Sequence, residues 1–525
     1  MILGIVILFP AFSLAAGINY GDIISQSADA FILKYGNIQN PDFYNCTVST
    51  MSCSDVGKTA PSVMTGQAPY ANPHFSFSTK SVFKNNVHIR TFYLTNNLTG
   101  KTYTRSYKLG SWDTLGDEGT IVAFSPDYTR MVYQDDSSDY PVLYSLNLTT
   151  LSGKTFKGTK IFTKPTTISG FNLTSANDLY FISNKLSPYA WDLYKYDFTT
   201  KTTTFLAENA SYAHAIRKWS DGITFFVTQG ASSFPEFYNE TTNQIEKFSG
   251  ITTDTSISTV NSQDISFGGG MHGVLMTPQN FDKTVSHQLV IWLHGGPYRQ
   301  ASIGFQPYPG YAVYDLILNQ LAENNVIVLK LDYRGSYGYG GSYAKSIIKN
   351  VGKGDVTDII NAQSLIKKDF SVSNTYLLGN SYGGYLALRS IVAYPAKFSG
   401  AISINGVTDW ASMLKALRTS IFNVDFGGLP NKNNAVLYAK ASILSRIGNL
   451  TTQKIVLMQS QADKTIPPSQ ADTLYKALQN AGKNVQFIPY PGEDHTFTKI
   501  SDIESICQNV FNTLSLPLTN NCNFQ

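Results

Sequence analysis

The feature that most constrains this 525-residue chain is a change of texture near Met271. Beyond it, short apolar runs alternate with runs of helical period. Residues 289–293, 326–332 (VIVLKLD), 375–378, 455–458 and 485–488 read as buried strands. Residues 356–367, 385–394 and 470–481 read as helices, the first carrying Ile359, Ile360, Ala362 and Leu365 along its apolar side. Such alternation predicts a mostly parallel sheet with helices on both faces.

The stretch from about residue 17 to 265 reads differently. Short β-like runs, among them 119–133 (GTIVAFSPDYTRMVY), 143–151, 179–183, 191–198 and 222–227, are separated by turns rich in Asn, Asp, Ser and Gly. No long helical period appears after roughly residue 40. Many short strands at even spacing imply a sandwich, barrel or propeller. The Ser-Pro-Asp at 125–127, followed by an apolar strand, has the form of a turn between propeller strands. At roughly 40–45 residues per blade, the segment holds about six blades.

Hydrophobic content of 42% supports a large core, and a net charge of +4 with 14% charged residues lacks the concentrated basic face of a nucleic-acid binder. Residues 1–16 are almost wholly apolar, uncharged, and end in small residues where a signal peptidase cuts. They fall short of the ~20 residues that span a bilayer, so a secretory signal is expected and no stable membrane span. No Lys or Arg precedes the apolar run, and an uncleaved anchor is the alternative. Asn45, Asn97, Asn147, Asn172, Asn209, Asn239 and Asn449 each begin an Asn-x-Ser/Thr triplet. They are expected on glycosylated surface loops of a secreted protein, or of one in a lysosome-like compartment. The four cysteines, Cys46, Cys53, Cys507 and Cys522, form two sequence-local pairs. In an oxidising compartment the simplest pairing is Cys46–Cys53 and Cys507–Cys522, although four cysteines permit three pairings. No histidine stands at ligand spacing beside either pair, so no metal site is expected.

The chemistry is concentrated in the second half. Gly379-Asn380-Ser381-Tyr382-Gly383-Gly384 follows one predicted strand and opens a predicted helix. A G-x-S-x-G between strand and helix is the nucleophile elbow, a sharp turn that exposes the serine hydroxyl and needs small neighbours. A serine hydroxyl is a poor nucleophile without a base, and α/β-hydrolases order their triad as Ser, acid, His. Of seven histidines only His495 follows Ser381; it sits in a polar loop (GEDHT) after the strand at 485. Between the two, Asp463 follows the 455–458 strand and a short loop, at the strand end where catalytic groups collect in open sheets. Asp472 falls within a helix, and Asp494 is too close to His495 in sequence to reach around its ring. His294-Gly295-Gly296-Pro297 follows the strand at 289–293. Its glycines permit a backbone N–H to approach a reacting carbonyl oxygen, so Gly295 and Tyr382 are assigned as oxyanion donors. Trp410 is a candidate for lining a substrate pocket and equally a candidate for the core.

Together these motifs resemble the prolyl oligopeptidase family. The resemblance rests on HGGP at 294–297, LDYRGSYGYG at 331–340, GNSYGGY at 379–385, GVTDW at 406–410, ADKTIPP at 462–468 and GEDH at 492–495, in the family's order. The HGGP and YGGY forms look most like the branch of acylaminoacyl peptidases and dipeptidyl peptidase 5. With the signal segment 1–16 read above, the resemblance implies that residues 17–265 form a β-propeller domain and residues 266–525 an α/β-hydrolase domain. It also implies a cofactor-free serine peptidase, monomeric or homodimeric, acting on short peptides in an enclosed cavity. Its secreted members resemble dipeptidyl peptidases; acylaminoacyl peptidase or oligopeptidase cleavage is the alternative. In many relatives His-Gly stands where this chain has Gln459 and Ser460, and an acidic pair to clamp a substrate amino group is not evident. A carboxylesterase on the same scaffold and a non-catalytic propeller binding protein are the competing classes. The long β-rich half argues against the first and the intact triad against the second.

Overall fold

The structure, a computed structural model, describes residues 19–27, 29–37, 41–59, 73–84, 87–108, 121–135, 137–138, 140–164, 167–212, 214–229, 232–251, 260–268, 270–417, 421–518 and 522–524. The signal-like segment 1–16 lies outside them.

Strand-forming sequence in the first half folds into successive antiparallel groups. Four strands run from Asn19–Gln26 to Ser52–Gly57 and three from Phe75–Lys84 to Thr102–Lys108. Groups of four follow: Val122–Phe124 to Thr159–Lys160, Ile168–Leu173 to Thr202–Ala207, and Arg217–Lys218 to Gln244–Lys247. The described residues therefore hold five blade-like groups where about six were expected. The first and last merge into one sheet, because Asn19 and Tyr20 pair in parallel with Ser232 and Ser233 and so join the beginning of the ring to its end.

The strand Asp178–Ser187 illustrates the packing. Leu179 and Phe181 enter one core with Phe171 and Val132, while Tyr180 and Ile182 enter another with Phe225 and Trp219. Alternate side chains point to opposite faces, and each face meets a different neighbouring group. The strand consequently reads as a continuous apolar run.

The second half builds one eight-stranded sheet. Numbered along the chain from Val260–Phe267 to Val485–Tyr490, its strands lie in the order 1-2-4-3-5-6-7-8. The first two pair antiparallel, and all pairs beyond Ile327–Asp332 are parallel. The strand Val260–Phe267 already belongs to this sheet, so the change of architecture begins ahead of the 265/266 division expected.

Leu289, Ile291 and Leu293 face one apolar layer, under the helices Gly354–Asp369 and Tyr382–Ala393; Val290 and Trp292 face the other, under Pro309–Glu323 and Ile500–Leu514. Cover on both faces is what turns 289–293 into an unbroken hydrophobic run. The Cys46–Cys53 disulfide ties a hairpin of the first half, and Cys507–Cys522 fastens the carboxyl tail to the last helix. Among the described residues no helix is long and apolar enough to cross a membrane.

The halves meet through polar side chains on apolar support. The Tyr189 hydroxyl donates to Asp332 at 2.9 Å, Trp191 Nε1 to Gln300 at 3.2 Å, and Gln300 Nε2 to the Pro188 carbonyl at 2.7 Å. This seats a propeller hairpin on the segment that follows HGGP.

Candidate active site

Parallel strands deliver their carboxyl ends to one edge. Leu293 is in register with Gly379, Asn380 with Ile404, Ile404 with Met458, and Ser460 with Tyr490. The loops that carry Gly295, Ser381, Asp463 and His495 all leave from this edge. Sequence reasoning named these four residues from separate stretches, and the register brings their loops together.

Ser381 stands between the strand Val372–Asn380 and the helix Tyr382–Ala393 at φ 56° and ψ −119°, a conformation that non-glycine residues rarely adopt. Its N–H donates to the Ile404 carbonyl (2.8 Å), and its own carbonyl accepts from the Tyr385 N–H (3.0 Å). The glycines around it answer a packing demand. A Cβ on Gly379 would lie 2.4 Å from the Gly383 backbone, and one on Gly383 would lie 1.8 Å from the Leu293 carbonyl oxygen. The helix thus packs directly onto the neighbouring strand. Tyr382 is its first residue, so its N–H has no partner inside the helix.

Asp463 is almost fully buried. One carboxylate oxygen accepts the Thr465 and Ile466 N–H groups at 2.8 and 2.7 Å; the other lies 2.7 Å from His495 Nδ1. Two backbone donors fix the carboxylate plane, which fixes the ring. Asp494 clasps the two loops: one of its oxygens accepts from the His495 and Lys464 N–H groups, at 2.7 and 3.0 Å. The Lys464 N–H is the foremost of the bonds that hold the Asp494 carboxyl below its ordinary range. Asn405 adds a brace, donating to the His495 carbonyl and to the Ser460 hydroxyl, both at 3.0 Å. Ser460 therefore ties the Asp463-bearing strand to the strand beside Ser381. Among the described residues the Ser381 hydroxyl has no hydrogen-bond partner, and His495 Nε2 has none either.

Gly295 lies against the nucleophile. A Cβ there would be 3.1 Å from Ser381 Cβ, 3.2 Å from the Asn380 carbonyl oxygen and 3.0 Å from the Tyr311 hydroxyl. His294 holds the loop in place: Nδ1 lies 2.8 Å from the Gly295 carbonyl, Nε2 lies 2.9 Å from the Ser336 hydroxyl, and Tyr333 stacks on the ring.

Two further supports escaped the sequence reading. The Tyr382 hydroxyl donates to buried Asp355 at 2.7 Å; burial pushes that carboxyl up to about 6. The Tyr298 hydroxyl donates to Asp425 at 2.6 Å, and burial pushes Asp425 up to about 7; its second oxygen has no partner among the described residues. Neither aspartate carries a motif signal, since each acts through a tyrosine supplied by another element.

A cavity of about 80 Å³ lies between the halves, lined from the propeller by Trp191, Ser211 and Tyr212 and from the hydrolase by Ser302, Phe305 and Pro307. From it an aromatic path leads inward. Tyr212 packs edge-on against Tyr308 at 5.5 Å, and Arg299 lies over both Tyr308 and Tyr311 at 5.3 and 5.8 Å. The wall segment is anchored by Lys330, which donates to the Gly304 carbonyl (2.7 Å) and to Asp315 (3.0 Å).

Two expectations are corrected. Trp410 does not line a pocket; it is 1% exposed, packed among Tyr382, Tyr385, Phe422 and Phe426. Its five-membered aromatic cluster is core. Asn172 is not on a surface loop: it is buried on the strand Ile168–Leu173, and its amide nitrogen donates to the Ile216 carbonyl at 2.9 Å. Asn97, Asn147, Asn209 and Asn449 are exposed, while Asn45 and Asn239 are half-buried.

This sheet, elbow and acid–histidine pair define an α/β-hydrolase joined to a propeller. Residues 312–511 match the prolyl oligopeptidase family. It is 27% identical to the acylamino-acid-releasing enzyme of Rattus norvegicus over 235 residues, covering 43% of this chain and 31% of that protein. It is 25% identical to dipeptidyl peptidase 4 of Sus scrofa over 360 residues, 62% of this chain and 44% of that protein. The chain therefore matches under half the length of these relatives. In fold it resembles a Mycobacterium tuberculosis puromycin-hydrolyzing peptidase, with a TM-score of 0.67 at 14% identity over 98% of this chain and 96% of that one.

Proposed function

We propose that this chain is a serine peptidase of short peptides, with Ser381 as nucleophile, His495 as general base and Asp463 as the group that orients it. The observation that carries this reading is the 2.7 Å Asp463–His495 pair on the edge where Ser381 projects from a strained elbow. His495 Nε2 takes the Ser381 proton as the hydroxyl attacks the scissile carbonyl. The Gly295 and Tyr382 N–H groups receive the oxyanion, His495 returns the proton to the leaving amine, and water releases the acyl-enzyme. The Ser381–His495 contact tightens when substrate binds, as is common for catalytic hydrogen bonds that are loose in the empty site.

The cleavage mode we favour is removal of dipeptides from a free amino end, with acylaminoacyl cleavage as the second reading; relatives named for each activity match this chain. Peptides of one sequence with free and acetylated amino ends, read by mass spectrometry, separate the two. Ser381→Ala is expected to lower turnover at least roughly 10⁴-fold, and turnover unaffected by that change would remove the proposal. We further propose that the protein is secreted with its amino-terminal segment cleaved. Amino-terminal sequencing and glycosidase treatment of material from the culture medium test this.

A further inference from the structure

The strands His287–Leu293 and Ile327–Asp332 lie side by side, with Leu293 opposite Leu331. The first runs out into the HGGP loop and the second into Tyr333. The Tyr333 side chain is fully buried, and its hydroxyl donates to the His294 carbonyl at 2.7 Å. Burial holds the phenol well above its ordinary range, so it stays protonated and remains a donor. Its ring stacks with two others, His294 at 4.6 Å and Tyr382 at 5.9 Å.

The His294 carbonyl and the Gly295 N–H belong to one peptide. That unit is planar and trans, so the two groups point in opposite directions. Whatever holds the carbonyl therefore aims the N–H. The sheet does not hold it: the last register pair of this strand is at Leu293, and the glycines that follow leave the backbone free to turn. The Gly295 N–H itself donates to no group among the described residues. The same carbonyl abuts the start of the nucleophile helix, where a Cβ on Gly383 would lie 2.7 Å from its oxygen. Tyr333 thus donates into the seam between the two loops that supply the assigned oxyanion donors, and its ring lies against the side chain of the second, Tyr382.

We propose that Tyr333 is a positioning residue, its hydroxyl holding the His294 carbonyl so that the Gly295 N–H is aimed at the oxyanion formed when Ser381 attacks. This rests on the peptidase reading above. Tyr333 does not touch the substrate, no covalent bond to it forms or breaks, and its proton stays on the phenol. Two effects follow from the one bond. It keeps the peptide from turning its carbonyl oxygen, a negative dipole, toward the developing negative charge. It also polarises the peptide, which strengthens the N–H at the other end as a donor. Both act where charge develops in the transition state, so they change turnover and leave ground-state binding alone.

The test is Tyr333→Phe, which keeps the ring and removes the hydroxyl, measured beside Ser381→Ala and the unaltered full chain. Tyr333→Phe is expected to lower kcat roughly 10- to 100-fold while KM stays within about threefold. The affinity for a peptidyl boronate, which places an oxygen where the oxyanion forms, is expected to fall by a similar factor. Binding of an intact peptide to Ser381→Ala is expected to be unchanged when Tyr333→Phe is added. That split between boronate and peptide is the readout that a purely structural hydroxyl does not produce, because loosening of the fold lowers both affinities together. A kcat within twofold of the parent, a change in KM alone, or a parallel fall in both affinities overturns the role of Tyr333. Failure of Tyr333→Phe to fold overturns it as well, since the hydroxyl is then a support of the core. Activity that survives Ser381→Ala instead overturns the peptidase reading, so the two failures are distinct.

Discussion

The carboxy-terminal sheet and the amino-terminal ring solve different packing problems. The sheet gathers eight strands into one body with a core on each face, and its parallel register delivers four loops to one edge. The ring is made of small antiparallel groups whose apolar residues divide among three separate cores. In the sheet, chemistry and close approach dictate particular residues: Gly383 against the Leu293 carbonyl, Ser381 at positive φ, and Asp463 beneath two amides. In the ring, an apolar side chain of suitable size at alternate positions suffices. One half therefore carries motifs and the other only a texture.

This contrast is sharpest at the acid. Asp463→Asn keeps size and shape but presents the wrong group to His495 Nδ1, and kcat is expected to fall on the order of 10⁴-fold with little change in thermal stability. Steady-state kinetics with a melting curve check this. A large loss of stability would mean that the catalytic edge is also a structural keystone, which would weaken the comparison.

A buried support behaves differently. Asp425 has its carboxyl pushed from 3.8 up to about 7 by burial. The folded state thus holds a proton that the unfolded state releases, and stability declines as pH rises from about 4 to about 7. Asp425→Asn removes that cost. Its advantage over the parent is expected to grow between pH 5 and pH 8, reaching on the order of a few kcal/mol. Denaturant melts at both pH values read this, and an advantage independent of pH would refute it.

The disulfides give the smallest expected difference between the regions. Loop lengths of 7 and 15 residues separate the bridged cysteines. Chain entropy assigns about 2.4 kcal/mol to the first and about 3 kcal/mol to the second. Replacing each pair by serine is expected to cost slightly more at Cys507–Cys522, and to lower the hydrolase transition in particular if the halves unfold separately. Calorimetry of both variants measures it. A larger effect from Cys46–Cys53 would show that the amino-terminal ring depends on its staple more than the sheet does on its own.

How much was legible followed the same division. Ser381 and Gly379 to Gly384 were readable because an exposed serine on a strand-to-helix turn tolerates few neighbours, and chain order then singled out His495. The helix Pro309–Glu323 was missed. The stretch PYPGYAVY resembles a turn, although Pro309 at a first helical position, with Ala312, Val313, Leu316, Ile317 and Leu321 after it, is a usable signal. With the helix went Tyr311. Trp410 was left between pocket and core because composition does not say which side of a loop a tryptophan faces. The number of blades was poorly legible because alternating apolar residues mark a strand without marking where one group of strands ends.

The sequence by itself determined the three candidate residues of the proposed chemistry, the α/β character of one half and the β character of the other. Each of these is written in local residue type and spacing. Only the tertiary structure decided that the Asp494 carboxylate binds two loops together, that Asp355 and Asp425 stand behind the site through Tyr382 and Tyr298, and that the Tyr333 hydroxyl holds the His294 carbonyl. Those relations join residues tens to more than a hundred positions apart. Strand register and helix packing create them, and neither leaves a mark within any one segment of the chain.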